Sequence, residues 1–511
     1  MSEQGLPSAV DVVVVGGGFS GIGTAIRLRQ MGVEDFVVLD RGSEVGGTWR
    51  DNTYPGATCD VPSHLYSFSF APNPEWSRSF SPQSEIWSYM RGVVDRFGVG
   101  AHFRFGQDVT EARFDETEQR WHVTTAHGSL TARIVVWATG PLSEPKVPDL
   151  PGLANFAGPV FHSAAWDHGA DLAGKRVAVV GTGASAIQFV PQIQPLVAKL
   201  YLHQRTPPWI IPRNDRDVPP ARRWLFRHLP FTQKMARLRI YLRLEYLMGP
   251  VVLGTSERKR QLLRKFANGH LHHQIDDPEL RSALTPDYEI GCKRILVSDD
   301  YYPSLTRANV EVVPAVGGFT PDGVVDDHGV ERQVDMVIMA TGFQAAEPSF
   351  ATRIVGPGGA RLSEAWDTGM EAYLGSTVTG FPNLFLLVGP NTTLGHNSMI
   401  YMIESQLNYV VDAIGFLGRP GVGTVDVRPA VLERYNRRLQ GAIGPTVWVT
   451  GGCTSWYLDH RGVNTTLWPR HTAVFRRLTR RFHPADYTVG PPGPPGARRP
   501  PVRARRTPSA T

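Results

Sequence analysis

Two glycine patterns in this 511-residue chain carry its first legible chemistry. Gly16-x-Gly18-x-x-Gly21, with Ser20 inside it, follows the apolar run "DVVVV" and opens a segment of helical period. In that context glycines let backbone approach a pyrophosphate, and a helix N-terminus supplies partial positive charge. Asp40 stands 24 residues after Gly16, at the end of the next apolar run, "DFVVLD". A carboxylate there accepts hydrogen bonds from a ribose with a free 2′-hydroxyl, so the first site is expected to bind FAD. The second pattern runs Gly181-Thr182-Gly183-Ala184-Ser185-Ala186, and at the same spacing of 24 it presents Arg205. A carboxylate would repel a 2′-phosphate, whereas a guanidinium grips it bidentately, so the second site is expected to bind NADPH.

A chain with both sites passes hydride from nicotinamide to flavin. What takes the electrons next is bounded by the cysteines. Cys59, Cys292 and Cys453 lie far apart and form no C-x-x-C, so neither a redox disulfide nor a metal site is expected. Molecular oxygen is then the common acceptor that remains. The same cysteine usage fits a reducing, cytoplasmic compartment.

These residues need a particular frame. Each glycine loop sits in a strand–loop–helix–strand unit, which makes the fold class α/β with two Rossmann-like dinucleotide-binding domains. The strands "ARIVVWATG" and "DMVIMATGF" end in the same turn and read as the two crossings between domains, so the NADP domain is inserted into the FAD domain. The expected division is 8–148 for the first part of the FAD domain, 149–334 for the NADP domain, 335–487 for the second FAD part and 488–511 for a disordered Pro/Gly/Arg tail. A basic, helical insertion at about 215–290 is expected to pack on the enzyme.

The net charge of +6 is mild, and no Lys/Arg run stands outside the tail, which argues against nucleic-acid binding. No apolar run approaches the ~20 residues needed to span a bilayer, so no stable membrane insertion is expected. The N-terminus shows no secretory pattern.

Between the two glycine units lies Phe156-x-Gly158-x-x-x-His162-x-x-x-Trp166-Asp167. It matches the fingerprint F-x-G-x-x-x-H-x-x-x-W-(P/D), and by it the chain resembles the type I Baeyer–Villiger monooxygenases, a family of class B flavoprotein monooxygenases. The resemblance runs from about Val12 to Tyr487 and includes "GGTWRDNTYPGATCD", "CKRILVSDDYY" and "SWYLD". "GGTWRDNTYPG" and "NTTLW" look closest to the 4-hydroxyacetophenone monooxygenase branch.

The resemblance implies an NADPH-dependent FAD enzyme that inserts one oxygen of O2 into a ketone, through a C4a-peroxyflavin, to give an ester or lactone. It implies that the fingerprint is a hinge that couples domain movement to the cycle, with Gly158 supplying backbone freedom, and not a catalytic group. By resemblance Arg294 is the catalytic arginine, Asp60 orients it, and Lys293 joins Arg205 and Thr206 at the 2′-phosphate. Thr48, Trp49, Arg50, Asp51, Tyr66 and Val109 match flavin-contacting positions, and Trp456 matches an aromatic that closes over nicotinamide and substrate. Thr393, Leu394, Gly395, His396 and Met399 are pocket candidates at a helix N-terminus that faces the flavin. Two alternatives stay open: oxidation of sulfur or nitrogen by a related flavin-containing monooxygenase, and an NADPH oxidase that releases only hydrogen peroxide.

Overall fold

The computed structural model describes residues 5–493. Strand Ala9–Val15 sits inside an eight-stranded sheet, parallel to Phe36–Leu39 on one side and to Gly128–Trp137 on the other. Its valines divide between two cores. Val12 and Val14 face one with Phe19 and Ile22, and Val13 and Val15 face the other with Trp121 and Leu384. That is why the run is apolar without alternation: a parallel strand covered on both faces has no solvent side. Strand Leu384–Leu386 also joins this sheet, beside Gly128–Trp137, so a late segment of the chain completes the first domain.

The second sheet has five parallel strands in the order Val310–Val313, Lys199–His203, Arg176–Val180, Met336–Met339 and Val160–His162. Met336–Met339 therefore belongs with the second glycine loop, and the boundary expected at 335 falls too early. The chain leaves this sheet only after Ala340, and the two crossing segments then lie side by side. The Lys146 amide donates to the Gly342 carbonyl at 2.8 Å, and the Gln344 amide to the Glu144 carbonyl at 2.9 Å. The tail boundary also shifts, because Tyr487–Gly490 pairs with Thr424–Val427 as an antiparallel strand. The rest of the expected disordered tail, from 494 on, lies outside the described residues.

The insertion is helical: Pro220–His228, Pro230–Arg243, a π-helical turn at Leu244–Met248, Gly249–Val252, Glu257–Gln274 and Pro278–Ala283. Among the described residues no helix is long and apolar enough to cross a membrane.

Two of the cysteines pair although no C-x-x-C links them. Cys292 and Cys453, 161 residues apart, form a disulfide with Cα atoms 6.1 Å apart. Local spacing motifs detect only neighbours in sequence, whereas this pair is brought together by the packing of the segment before Lys293 against the loop before Trp456. Cysteine usage therefore does not point to a reducing compartment. Cys59 remains free and buried, its thiol pushed up by burial and then by the adjacent Asp60 charge. Thiol titration of the denatured, unreduced protein is expected to give one reactive group, rising to three after reduction; three without reductant would show the bridge to be absent.

Candidate active site

A cavity of about 1310 Å³ runs between the two sheets, lined by both glycine loops and by residues from both parts of the first domain and from the second sheet's unit. The first loop is shaped by contact. Gly16 has φ +110°, and a Cβ there would fall 2.7 Å from the Ala138 carbonyl oxygen. Gly18 and Ser20 line the cavity, whereas Gly21 sits behind the loop, where a Cβ would collide with the Gly16 carbonyl. The second loop repeats this plan. Gly181 has φ +107°, Thr182, Gly183, Ala184 and Ser185 line the cavity, and Ala186 is buried beneath them. A Cβ on Gly183 would meet nothing within 4 Å, so backbone and open space face each other there. Both loops thus fit a pyrophosphate held by backbone N–H groups.

Asp40 ends the strand after the first loop and organises it. Its carboxylate accepts from the Gly17 amide at 2.5 Å, the Gly42 amide at 2.8 Å and Arg50 Nη1 at 2.6 Å. Arg50 also donates to Asp51 at 2.7 Å, so the one-turn helix Thr48–Asp51 is tied to the first loop by a carboxylate–guanidinium chain. Thr48, Trp49, Arg50, Asp51, Tyr66 and Val109 all line the cavity, and Trp49 Nε1 donates to the Tyr66 hydroxyl at 3.0 Å.

At the second loop Arg205, Thr206 and Lys293 converge. Lys293 Nζ donates to Thr206 Oγ1 at 2.8 Å, and all three line the cavity. Burial and then the neighbouring Arg205 charge lower the Lys293 pKa. Two cations that repel each other with no salt-bridged carboxylate among the described residues make an anion site.

Arg294 stands between these two groups. Its Nε donates to Asp60 Oδ2 at 2.5 Å and its Nη1 to the Leu394 carbonyl at 3.2 Å. Burial opposes both charges, but the pair outweighs it: Arg294 is raised above its ordinary value and Asp60 is held below the usual carboxylate range. Both side chains still reach the cavity, at 28% and 26% exposure. The arrangement is a guanidinium fixed in position and charge, tied through Nε to Asp60 and through Nη1 to Leu394, on a residue that lines the cavity between the glycine loops.

The pocket candidates separate. Thr393, Leu394 and Met399 line the cavity, with Met399 the first residue of helix Met399–Leu417. Gly395 and His396 do not. Gly395 faces Trp448 and Val252, and His396 is buried with Nε2 3.4 Å from Glu245 Oε2. His396 is therefore neither a pocket residue nor a surface one. Asn397, which the sequence reading passed over, lines the cavity, and its Nδ2 donates to Glu245 at 2.7 Å. Glu245 also accepts from the Thr472 amide at 2.6 Å and the Thr472 hydroxyl at 2.9 Å. Burial works against its charge, yet His396 and these donors hold its pKa down to about 2. No local pattern couples position 245 to 397; only the packed insertion does.

Gln188 is a further cavity residue that no local sequence pattern marks. It lines the cavity from the second unit, accepts from the Thr58 amide at 3.0 Å and donates to the Thr58 carbonyl at 3.1 Å. Trp456 is 43% exposed and lines the cavity beside Tyr457, which is buried.

The fingerprint lies outside the cavity. Val160–His162 is the edge strand of the second sheet, and the His162 ring stands edge-on to Phe343 of the return crossing, 6.0 Å between centroids. Trp166 packs against Phe161 and Phe189, Phe156 against Phe319, and Asp167 accepts from the Gly169 amide at 2.9 Å. Gly158 does not occupy the left-handed region, and a Cβ there would fall 2.5 Å from the Asp335 carbonyl oxygen. Close approach to the neighbouring strand, not backbone freedom, demands glycine at 158.

Residues 13–221 match the family model described as pyridine nucleotide-disulphide oxidoreductase. The disulfide in that description has no counterpart in the cavity here, since neither Cys292 nor Cys453 lines it; the match reflects the nucleotide-binding frame. A solved structure titled cyclohexanone monooxygenase from Rhodococcus sp. Phi1 bound to NADP+ superposes with a TM-score of 0.84 at 29% identity, covering 95% of this chain and 100% of that one. Two relatives named Baeyer-Villiger monooxygenase are closer in sequence. The Streptomyces coelicolor protein is 52% identical and the Pseudomonas aeruginosa protein 49% identical, each covering 95% of this chain and 93% of its own length. At about half identity over 95% of its length to both, the chain belongs to the Baeyer–Villiger monooxygenase family.

Proposed function

We infer that this chain is an NADPH-dependent FAD monooxygenase that inserts one oxygen atom of O2 beside a ketone carbonyl, giving an ester or lactone. The observation that carries the reading is Arg294, held charged by Asp60 at 2.5 Å and lining the cavity between two nucleotide loops. Flavin, when bound, supplies the route by which two electrons from nicotinamide reach oxygen. In this reading the first sheet's unit holds FAD and the second sheet's unit holds NADPH.

The chain's own residues supply binding, orientation and charge. Gly16, Gly18 and Ser20 cradle the FAD pyrophosphate, and Asp40 keeps a lone pair for a ribose hydroxyl beyond its three protein donors. Arg205, Thr206 and Lys293 hold the 2′-phosphate. Arg294 stabilises negative charge as it develops on oxygen during attack on the carbonyl and collapse of the tetrahedral adduct. Asp60 is a positioning residue, which fixes the guanidinium plane from behind. Thr393, Leu394, Asn397 and Met399 wall the ketone end, and Trp456 covers it. Glu245 sets Asn397 without entering the cavity. The fingerprint, packed between the second sheet and the return crossing, lies where relative motion of the two units would be transmitted.

A ketone panel with NADPH consumption, ester formation and peroxide release followed together tests the reaction class. Thioether conversion with no ketone conversion would overturn it.

Arg294→Ala is expected to bind FAD and accept hydride from NADPH while ester formation falls by roughly 10²-fold or more, the scale for loss of one preorganised oxyanion donor. NADPH oxidation should then appear as hydrogen peroxide. Arg294→Lys keeps a charge without the planar fork that reaches Asp60 and Leu394 together, and should fall between. Ester yield per NADPH near the parental value in Arg294→Ala would remove that residue from the chemistry.

Arg205→Ala is expected to weaken NADPH binding by about 1.5–3 kcal/mol, one to two decades, through loss of a charge-assisted phosphate contact. NADH binding should barely change. Unaltered discrimination between the two nucleotides would move the phosphate site elsewhere.

A further inference from the structure

The helical insertion has an inner face that is fully engaged and an outer face that is not. On helix Pro230–Arg243, Gln233 donates to the Asn73 carbonyl at 2.6 Å and Arg237 to the His64 carbonyl at 3.1 Å, while Ile240 and Tyr241 pack on the core of the first sheet. The opposite side carries Phe231, Met235, Leu238 and Leu242, spaced to form one stripe along the helix. Trp224 and Leu229 precede the stripe, and Tyr246 and Leu247 follow it. Ten of the nineteen large apolar side chains exposed among the described residues fall between 224 and 266, each 40–59% exposed. Soluble surfaces seldom gather apolar side chains in this way without a partner.

The charge around the stripe identifies the partner. Residues 220–266 contain twelve Lys and Arg against two Glu, and one of those, Glu245, is buried beneath the helix. Lys234 borders the stripe on one side and Arg239 and Arg243 on the other. These three, with Arg258 and Lys265, are exposed and have no carboxylate partner among the described residues.

We propose that this face docks on the surface of an anionic lipid bilayer. The apolar stripe enters the boundary between headgroups and acyl chains, and the flanking cations meet lipid phosphates. Trp224 has the amphipathic ring that favours this depth. The contact is peripheral, since among the described residues no helix can span. A second copy of the chain fits less well: a two-fold contact through this face would oppose the same cations with no carboxylates between them. The proposal goes beyond the catalytic reading and does not depend on it.

The test is co-sedimentation of the full-length holoenzyme with vesicles of phosphatidylcholine alone and of phosphatidylcholine mixed with phosphatidylglycerol, at physiological salt. Binding at least about tenfold stronger to the mixed vesicles is expected, weakening as salt rises. Met235→Glu/Leu238→Glu should reduce that binding about tenfold or more, with flavin content and NADPH turnover unchanged. Lys234→Glu/Arg239→Glu/Arg243→Glu should abolish the preference for the anionic lipid. The parental protein decides the matter even where a variant fails to fold. Its failure to sediment with mixed vesicles, or equal binding to both compositions, would overturn the proposal. So would a concentration-dependent dimer that Leu238→Glu dissociates, seen by analytical ultracentrifugation in a protein that leaves vesicles unbound.

Discussion

The ion pair between Arg294 and Asp60 is the constraint around which the molecule is arranged. Its partners lie 234 residues apart, Asp60 on the first sheet's unit and Arg294 beyond the insertion. A third segment joins them where the Leu394 carbonyl accepts from Arg294. Removing two charges from water is costly, and a pair this far inside a protein is a weak source of stability. Its value lies in what it fixes. The guanidinium is held through Nε and Nη1, its charge is secured, and the residue lines the cavity. Because each partner comes from a different unit, the pair also registers the two sheets against each other, as Gln188 does at Thr58.

The cavity's charges are segregated by the same logic. Asp40 is satisfied by backbone amides and Arg50, so the first loop presents little net charge to a ligand. At the second loop burial and the neighbouring Arg205 charge lower the Lys293 pKa, and neither cation has a paired carboxylate among the described residues, so an anion is favoured there. The difference of one side chain at equivalent positions, Asp40 against Arg205, thus gives two similar loops opposite electrostatic requirements. Lys293 and Arg294 are adjacent in sequence but serve different ends of the cavity, one drawn to Thr206 and the other to Asp60.

The sequence reveals residues whose role is local. The glycine loops, Asp40 and Arg205 follow from backbone geometry repeated at a fixed spacing, and each stands where that geometry requires. Arg294 and Asp60 were legible only through resemblance, because nothing local ties position 60 to position 294. Non-local packing accounts for the misreadings. His396 has the composition of a pocket residue, but Glu245 draws it inward, and that carboxylate arrives from the insertion. Cys292 and Cys453 have no motif, yet the fold brings them together. The boundary at 335 failed because the strand Met336–Met339 and the strand Gly128–Trp137 end in the same Ala-Thr-Gly turn, while only pairing shows that the first still belongs to the second sheet. Gly158 was read as freedom and is instead a matter of space.

The insertion connects the surface to the site through one turn of helix. Leu244–Met248 is π-helical, a widened turn of the kind that re-aims a side chain at a functional site. It directs Glu245 inward to Asn397, His396 and the first turn of helix Thr472–Leu478. A buried carboxylate with several donors sits deep in its well, because removing any one donor leaves charge uncompensated. Asn397 therefore has one favoured orientation as it walls the cavity, and the insertion cannot shift along its axis without breaking that set. The outward stripe of Phe231, Met235, Leu238 and Leu242 is built on the same helix, within one to four turns of Glu245. A force or contact on the outer face is thus applied to an element whose far end sets a wall of the cavity. The basic, apolar surface and the contact that sets Asn397 in the cavity wall thus belong to one continuous helical insertion.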